Sequence, residues 1–141
     1  MAVTLPDVGE VKALDDWLAT TTPEAQTLKL YTNNVTPAEG DTASTYTEAA
    51  GSGYAAKSLA RATWNAASTA AGVTTKSYPA QAFNFTGAIT IYGYFIVDAG
   101  GNLLGGGNFD GSPLPMNSAL DVILTTLTLR LSPDGYVSVV S

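Results

Sequence analysis

This 141-residue chain contains neither cysteine nor histidine. Without cysteine there are no disulfides, thiolate metal sites or cysteine nucleophiles, and the redox compartment is left open. Without histidine the commonest general base is gone, together with the triads built on it and imidazole metal ligands. Charge is scarce too, at 13% of residues, about half the ordinary share of a soluble domain. The six basic residues, Lys12, Lys29, Lys57, Arg61, Lys76 and Arg130, are scattered along the chain. Nucleic-acid binding needs basic density to displace counterions from phosphates, so DNA and RNA are set aside as partners. No apolar run reaches membrane-spanning length, and Met1 to Asp7 lacks both the basic stretch and the apolar core of a targeting signal. The expectation is a soluble cytosolic product with no membrane partner.

What replaces charge is hydroxyl and glycine: 19 Thr, 10 Ser and 14 Gly beside a hydrophobic fraction of 45%. That bias toward β-branched strand formers and sharp reversals predicts an all-β domain. The length suits one domain, able to bury roughly two thirds of its unfolded surface. Interspersed charge normally keeps domains apart, so a surface this poor in it is expected to face a partner over much of its area. The acidic balance is uneven: residues 1 to 48 hold eight of the twelve acids against Lys12 and Lys29.

Along the chain, Val8, Val11, Leu14 and Leu18 recur at three- and four-residue spacing after Pro6-Asp7, which predicts a short amphipathic helix in an N-terminal arm, 1–25. Gly9 weakens it by roughly 1 kcal/mol relative to Ala. From residue 26 to 141 the pattern is strands between turns: about 26–32, 54–65, 81–86, 88–98, 102–109, 120–131 and 135–140. Seven such strands predict an antiparallel β-sandwich, jelly-roll-like, with that helix attached. Thr90 to Val97 is almost unbroken in apolar and aromatic residues, as in a central strand covered on both faces. Asp98-Ala99-Gly100-Gly101-Asn102 then reads as a tight reversal, returning strand 102–109 alongside. In 120–131 alternation places Ile123, Thr125, Leu127, Leu129 and Leu131 toward the core, and Ser132-Pro133-Asp134-Gly135 reads as a turn.

Catalytic constellations are thin. The four lysines form no Ser-x-x-Lys arrangement, and Glu39, Asp41 and Glu48, which could act as paired carboxylates, sit in a Thr-, Ala- and Gly-rich stretch with little apolar surface to raise a pKa. Their spacing does not match a calcium-binding EF-hand loop. Gly105-Gly106-Gly107 lacks the Gly-Lys-Ser/Thr ending of a phosphate cradle and reads as a strand that another backbone approaches closely. Asn34-Val35-Thr36 and Asn84-Phe85-Thr86 match the glycosylation pattern, as chance allows among so many Thr. Trp17, Trp64 and seven tyrosines could stack sugars, which keeps a carbohydrate-binding β-sandwich module as the rival class, although most of them lie within strand patterns. No enzyme activity, cofactor or metal is expected.

The most informative segment is 33–53, a long polar excursion between two strands. Compact domains rarely keep such a stretch unless it folds over something or contacts something. Asn33, Asn34, Thr36, Glu39, Asp41, Thr45, Tyr46 and Glu48 are the residues expected to contact a protein partner.

The runs LKLYTNNVTPAEGDTASTYTEAAGSGYAAKSL, FNFTGAITIYGYFIVDAGGNLLGGGNF and LDVILTTLTLRLS resemble a group of small virion proteins of tailed bacteriophages and cyanophages, over roughly residues 26 to 131. There a "LYTNN-x-TP" strand end leads through a Thr/Glu stretch to "GYA", and a "YGYF-x-x-D" strand precedes a Gly-rich hairpin. The resemblance implies a non-enzymatic structural protein, a capsid decoration (cement) protein on the outer capsid surface of the virion, with a tail or fibre-attachment component as the alternative. It also implies the major capsid protein as partner and self-association as a trimer or dimer, with the excursion reaching over neighbouring subunits.

Overall fold

The computed structural model describes residues 25–117, the strands at 121–124, 127–131 and 137–140, and Pro6, Val8 and Gly9. Apart from those last three, the expected N-terminal helix lies outside the described residues, as does the turn expected at Ser132 to Gly135. The described chain is all-β and antiparallel throughout, a sandwich-like assembly of two larger sheets and two short ribbons.

The first sheet has four strands: β1 (Gln26–Tyr31), β2 (Lys57–Leu59), β7 (Gly93–Val97) and β8 (Leu103–Asn108), in the order β2-β1-β7-β8. The second runs β12-β11-β4-β3, from β3 (Ser68–Ala70), β4 (Val73–Tyr78), β11 (Leu127–Leu131) and β12 (Val137–Val140). Two ribbons complete it, β5 (Gln81–Asn84) with β10 (Asp121–Leu124) and β6 (Ile89–Ile91) with β9 (Leu114–Met116).

Period-two alternation explains the main core. Leu28, Leu30, Tyr94 and Ile96 point from one face of the first sheet onto Tyr78, Phe83, Phe85, Ile91 and Leu127, all buried. Each such side chain contributes about 1.5–3 kcal/mol by leaving water. The other face of β1, β7 and β8 carries Tyr31, Phe95, Val97 and Leu103, also buried, so β7 is covered on both sides as its apolar run predicts. The expected reversal is present: Gly101 takes φ +83°, and the buried Asp98 carboxylate accepts from the Asn102 backbone N–H at 2.8 Å and its side-chain amide at 3.0 Å.

Several boundaries differ from expectation. The 54–65 strand shrinks to Lys57–Leu59, whose pairing with β1 runs from Leu28 opposite Lys57 to Gln26 opposite Leu59, where β1 begins. The 88–98 strand divides at Tyr92: β6 pairs with β9, β7 with β1 and β8. Gly93 permits the crossing, since a Cβ there would lie 2.1 Å from the Gly107 carbonyl oxygen. The 120–131 strand divides into β10 and β11, but Leu124 opposite Gln81 and Leu127 opposite Tyr78 keep one register. A single long ribbon is thus interrupted at Pro79-Ala80, where proline supplies no N–H to the ladder. The 81–86 and 135–140 strands are present in shortened form as β5 and β12.

Three strands were not expected at all: β9, and the hairpin of β3 and β4, which turns on Ala71 and Gly72 with φ of +49° and +78°. Positive φ at both central residues is the requirement of the two-residue turn that matches strand twist. Alanine in place of Asn or Asp at the first position hid the signal.

Candidate functional site

The excursion 33–53 is not an open loop. It is a strap folded over the outer face of the first sheet, and its neck is tied along β1. Thr32 N–H donates to the Thr47 carbonyl at 2.9 Å, Glu48 bridges Tyr31, and Ala49 N–H donates to the Leu30 carbonyl at 2.8 Å. Asn33 completes the neck with its side chain, donating to the Thr45 carbonyl at 2.9 Å and accepting from Thr47 N–H at 2.8 Å. One amide side chain thereby satisfies a donor and an acceptor that the loop would otherwise leave open.

At the tip, Ala38 N–H donates to Asp41 Oδ2 at 2.9 Å and Asp41 N–H returns to the Ala38 carbonyl at 3.1 Å. Thr42 then opens a single 3-10 turn, Ala43–Thr45, with its N–H donating to Thr45 Oγ1 at 3.2 Å. That turn aims Tyr46 inward. Its ring is 5% exposed, stacked on Phe95 with centroids 5.2 Å apart and tilted against Tyr31 at 4.9 Å. Aromatic pairs at such distances add about 0.5–1.5 kcal/mol beyond their buried area. Val35 and Ala43 pack on the same cluster.

The glycines of β8 provide the room. A Cβ at Gly106 would lie 3.2 Å from Tyr46 Oη, and one at Gly107 would lie 3.3 Å from Tyr94 Oη on the opposite face. What approaches this strand closely is therefore a tyrosine ring on either side. A β-bulge sets the phase: Val97 faces Leu103 and Ile96 faces Gly105, leaving Leu104 as the extra residue. Leu103 and Gly106 consequently share the face beneath the strap.

Electrostatics serve the same closure. Asp41 Oδ2 accepts from Tyr46 Oη at 2.9 Å, and Tyr31 donates to Asn108 Oδ1. Burial, above all, pushes the Tyr31 phenol up to about 12, with Tyr94 and Asp41 adding to it. Tyr46 is raised further still by burial and then by the Asp41 carboxylate. Glu48 accepts from Lys29 Nζ at 2.8 Å and from Tyr54 Oη at 3.2 Å, while Tyr54 Oη in turn accepts from Leu30 N–H at 3.2 Å. Burial raises the Tyr54 phenol as well, and the Glu48 charge adds to the rise against the lowering by Leu30 N–H.

The eight residues expected as contacts thus separate. Asn34, Thr36 and Glu39 are exposed on the strap, and Glu48 is exposed at its neck. Asn33, Asp41 and Thr45 are half-buried, and Tyr46 is core. Two of the three acids hold phenols or an ammonium in place, and the phenols stay protonated at neutral pH. The arrangement offers a braced surface and no activated nucleophile. Sequence reasoning missed Lys29 and Tyr54 as neck residues, although an aromatic two residues beyond Ser52 on the far side of the excursion was the available signal. A sugar-stacking platform of coplanar exposed aromatics is not formed among the described residues: the stacked pairs, Tyr46 with Phe95 and Tyr54 with Phe83, each include a buried ring. Searches against protein-family models, curated proteins and solved structures find no match to this chain.

Proposed function

We propose that this chain is a non-enzymatic structural protein that docks through the outer surface of its strap onto a protein shell, acting as a capsid decoration protein on the outside of a phage virion. One observation carries the binding reading: Tyr46 braces the strap from beneath while Asn34, Thr36, Ala38, Glu39 and Gly40 remain exposed above it. A surface already ordered loses little conformational entropy on docking. Hydroxyl, amide and a single exposed acid at the tip suit a modest polar patch, whose weak individual contacts are multiplied over many copies on a shell. The capsid setting rests on the resemblance of residues 26 to 131 to small virion proteins. The major capsid protein is the proposed partner, with self-association at a symmetry position; a tail or fibre component is the alternative setting.

Deleting the strap would remove Tyr46 from the core, so the test uses exposed positions. Thr36→Arg with Glu39→Lys should leave the unfolding transition in place and abolish binding to particles assembled without the chain. Cryo-electron microscopy of those particles, with wild type and variant added back, reads the result. Equal occupancy by both would overturn the strap as the docking face, and no density from the wild type would overturn the decoration role.

A further inference from the structure

Among the described residues the second sheet ends on β3, Ser68–Ala70, and that strand lies exposed along its whole length. The exposure extends beyond it: every residue from Asn65 to Gly72 is exposed. The segment is nonetheless tied at both ends. Asn65 N–H donates to the Ser77 carbonyl at 2.9 Å and the Asn65 side chain to Ser77 Oγ at 3.1 Å, which fixes one end on β4. Ser68, Thr69 and Ala70 then pair with Thr75, Thr74 and Val73, and the turn at Ala71-Gly72 fixes the other.

A two-residue hairpin turn closes on a hydrogen-bonded pair, here Ala70 with Val73, and such pairs alternate along an antiparallel ladder. Thr69 therefore turns its backbone N–H and C=O away from β4, toward the outer edge. Edge strands of this kind template pairing with another chain unless charge, proline or a bulge blocks them. Two other three-residue strands carry such a block, Lys57 on β2 and Pro115 on β9. β3 has none: residues 62–75, between Arg61 and Lys76, hold neither a charge nor a proline.

We propose that two copies of this chain pair through β3, antiparallel about a two-fold axis at Ser68, joining their second sheets into one. Ala67 then lies opposite Thr69 of the second copy, each such pair exchanging its backbone hydrogen bonds, and Ser68 lies opposite its own counterpart. A two-fold sets a strand against itself, so a charged strand would face its own charge, whereas Ser, Thr and Ala are their own complement. At a net charge of −6 two copies repel, which favours contact through a surface that bears no acid. Because the segment is already tied to β4 at both ends, pairing orders little new chain. A contact this short is weak alone and gains strength when many copies are arrayed together. The pairing rests on the self-association proposed above, to which it gives a surface, and not on the strap as docking face.

Sedimentation equilibrium of the intact chain over about 10 µM to 1 mM tests it without particles, so the outcome is read apart from shell binding. The mean mass should rise toward that of a dimer with concentration, and the Thr69 amide should exchange at least about fivefold more slowly in the most concentrated sample. Ser68→Lys and Ser68→Asp, at an exposed position, should each keep the thermal melt and stay monomeric, because like charges then meet on the axis. Mixed in equal amounts, the two variants should associate again. A wild type that stays monomeric throughout, a Ser68→Lys variant that associates as the wild type does, or a mixture that stays monomeric would each overturn the pairing. A trimer mass for the wild type would overturn the two-fold as well.

Discussion

Two stretches of this chain are nearly alike in composition and opposite in placement. The strap, 33–53, and the hairpin of β3 and β4 are both rich in Thr, Ala, Ser and Gly. The strap is clamped onto the first sheet by Tyr46 and Asn33. The hairpin extends the second sheet outward, with β3 exposed along its length and hydroxyl pairs such as Thr69 with Thr74, 2.9 Å apart, in solvent. One buried ring and a floor of glycine separate a covering from an edge. Polar composition alone therefore does not say whether a segment is surface decoration or part of the core.

Filling that floor should have the largest effect. Gly93→Ala places a Cβ 2.1 Å from the Gly107 carbonyl oxygen, a backbone atom held in the β7–β8 ladder, and 2.5 Å from the Tyr31 hydroxyl. A loss above about 4 kcal/mol, read by urea unfolding, is expected for such overpacking. Removing the ring comes next: Tyr46→Ala should cost about 3–5 kcal/mol, and limited proteolysis should then cut within 33–53 while sparing the wild-type strap. If the strap stayed resistant, Tyr46 would not be its anchor.

Alkaline titration probes the same cluster without mutation. Below pH 10 Tyr31 is protonated in both states; above it the unfolded chain ionises first, while the folded chain holds the proton to about 12. Stability should fall as pH rises from 10 toward 12, on the order of 2 kcal/mol from Tyr31, with Tyr46 and Tyr54 adding in the same direction. Thermal melts across that range, repeated with Tyr46→Phe, should show a shallower decline in the variant. Loss of the neck amide is milder: Asn33→Ala should cost about 1–2 kcal/mol for its two hydrogen bonds, with faster amide exchange at Thr47. In the hairpin the sign reverses. Ala71 sits at φ +49°, so Ala71→Gly should raise stability by about 1 kcal/mol in a chemical melt. A loss there would mean that the turn is held by something other than its own backbone.

Much of the architecture could be read from residue order. The run Tyr94-Phe95-Ile96-Val97 marked the central strand, because only a strand covered on both faces can bury consecutive apolar residues. The Asp98 to Asn102 reversal and the partnering of β8 followed from turn chemistry. Where one strand was expected and two were found, the cause was a change of sheet at Gly93 or Pro79, which period-two alternation does not register. Of the residues read as partner contacts, Asn34, Thr36, Glu39 and Glu48 lie exposed, whereas Tyr46 is buried beneath the strap, because only the fold sets its ring against Phe95.

The sequence by itself determined the β class, the absence of histidine and cysteine chemistry, the glycine-bordered hairpin and the existence of a long polar segment, since these depend on residue type and local spacing. Tertiary structure alone decided that the segment lies on the sheet. That outcome requires Tyr46, Phe95 and Gly106 to meet from separate parts of the chain, and a Leu104 bulge to bring the glycine onto the right face. It alone also brought Gln26, Arg61, Trp64 and Lys76 to one cleft, because residues distant in sequence meet only when their strands are laid side by side.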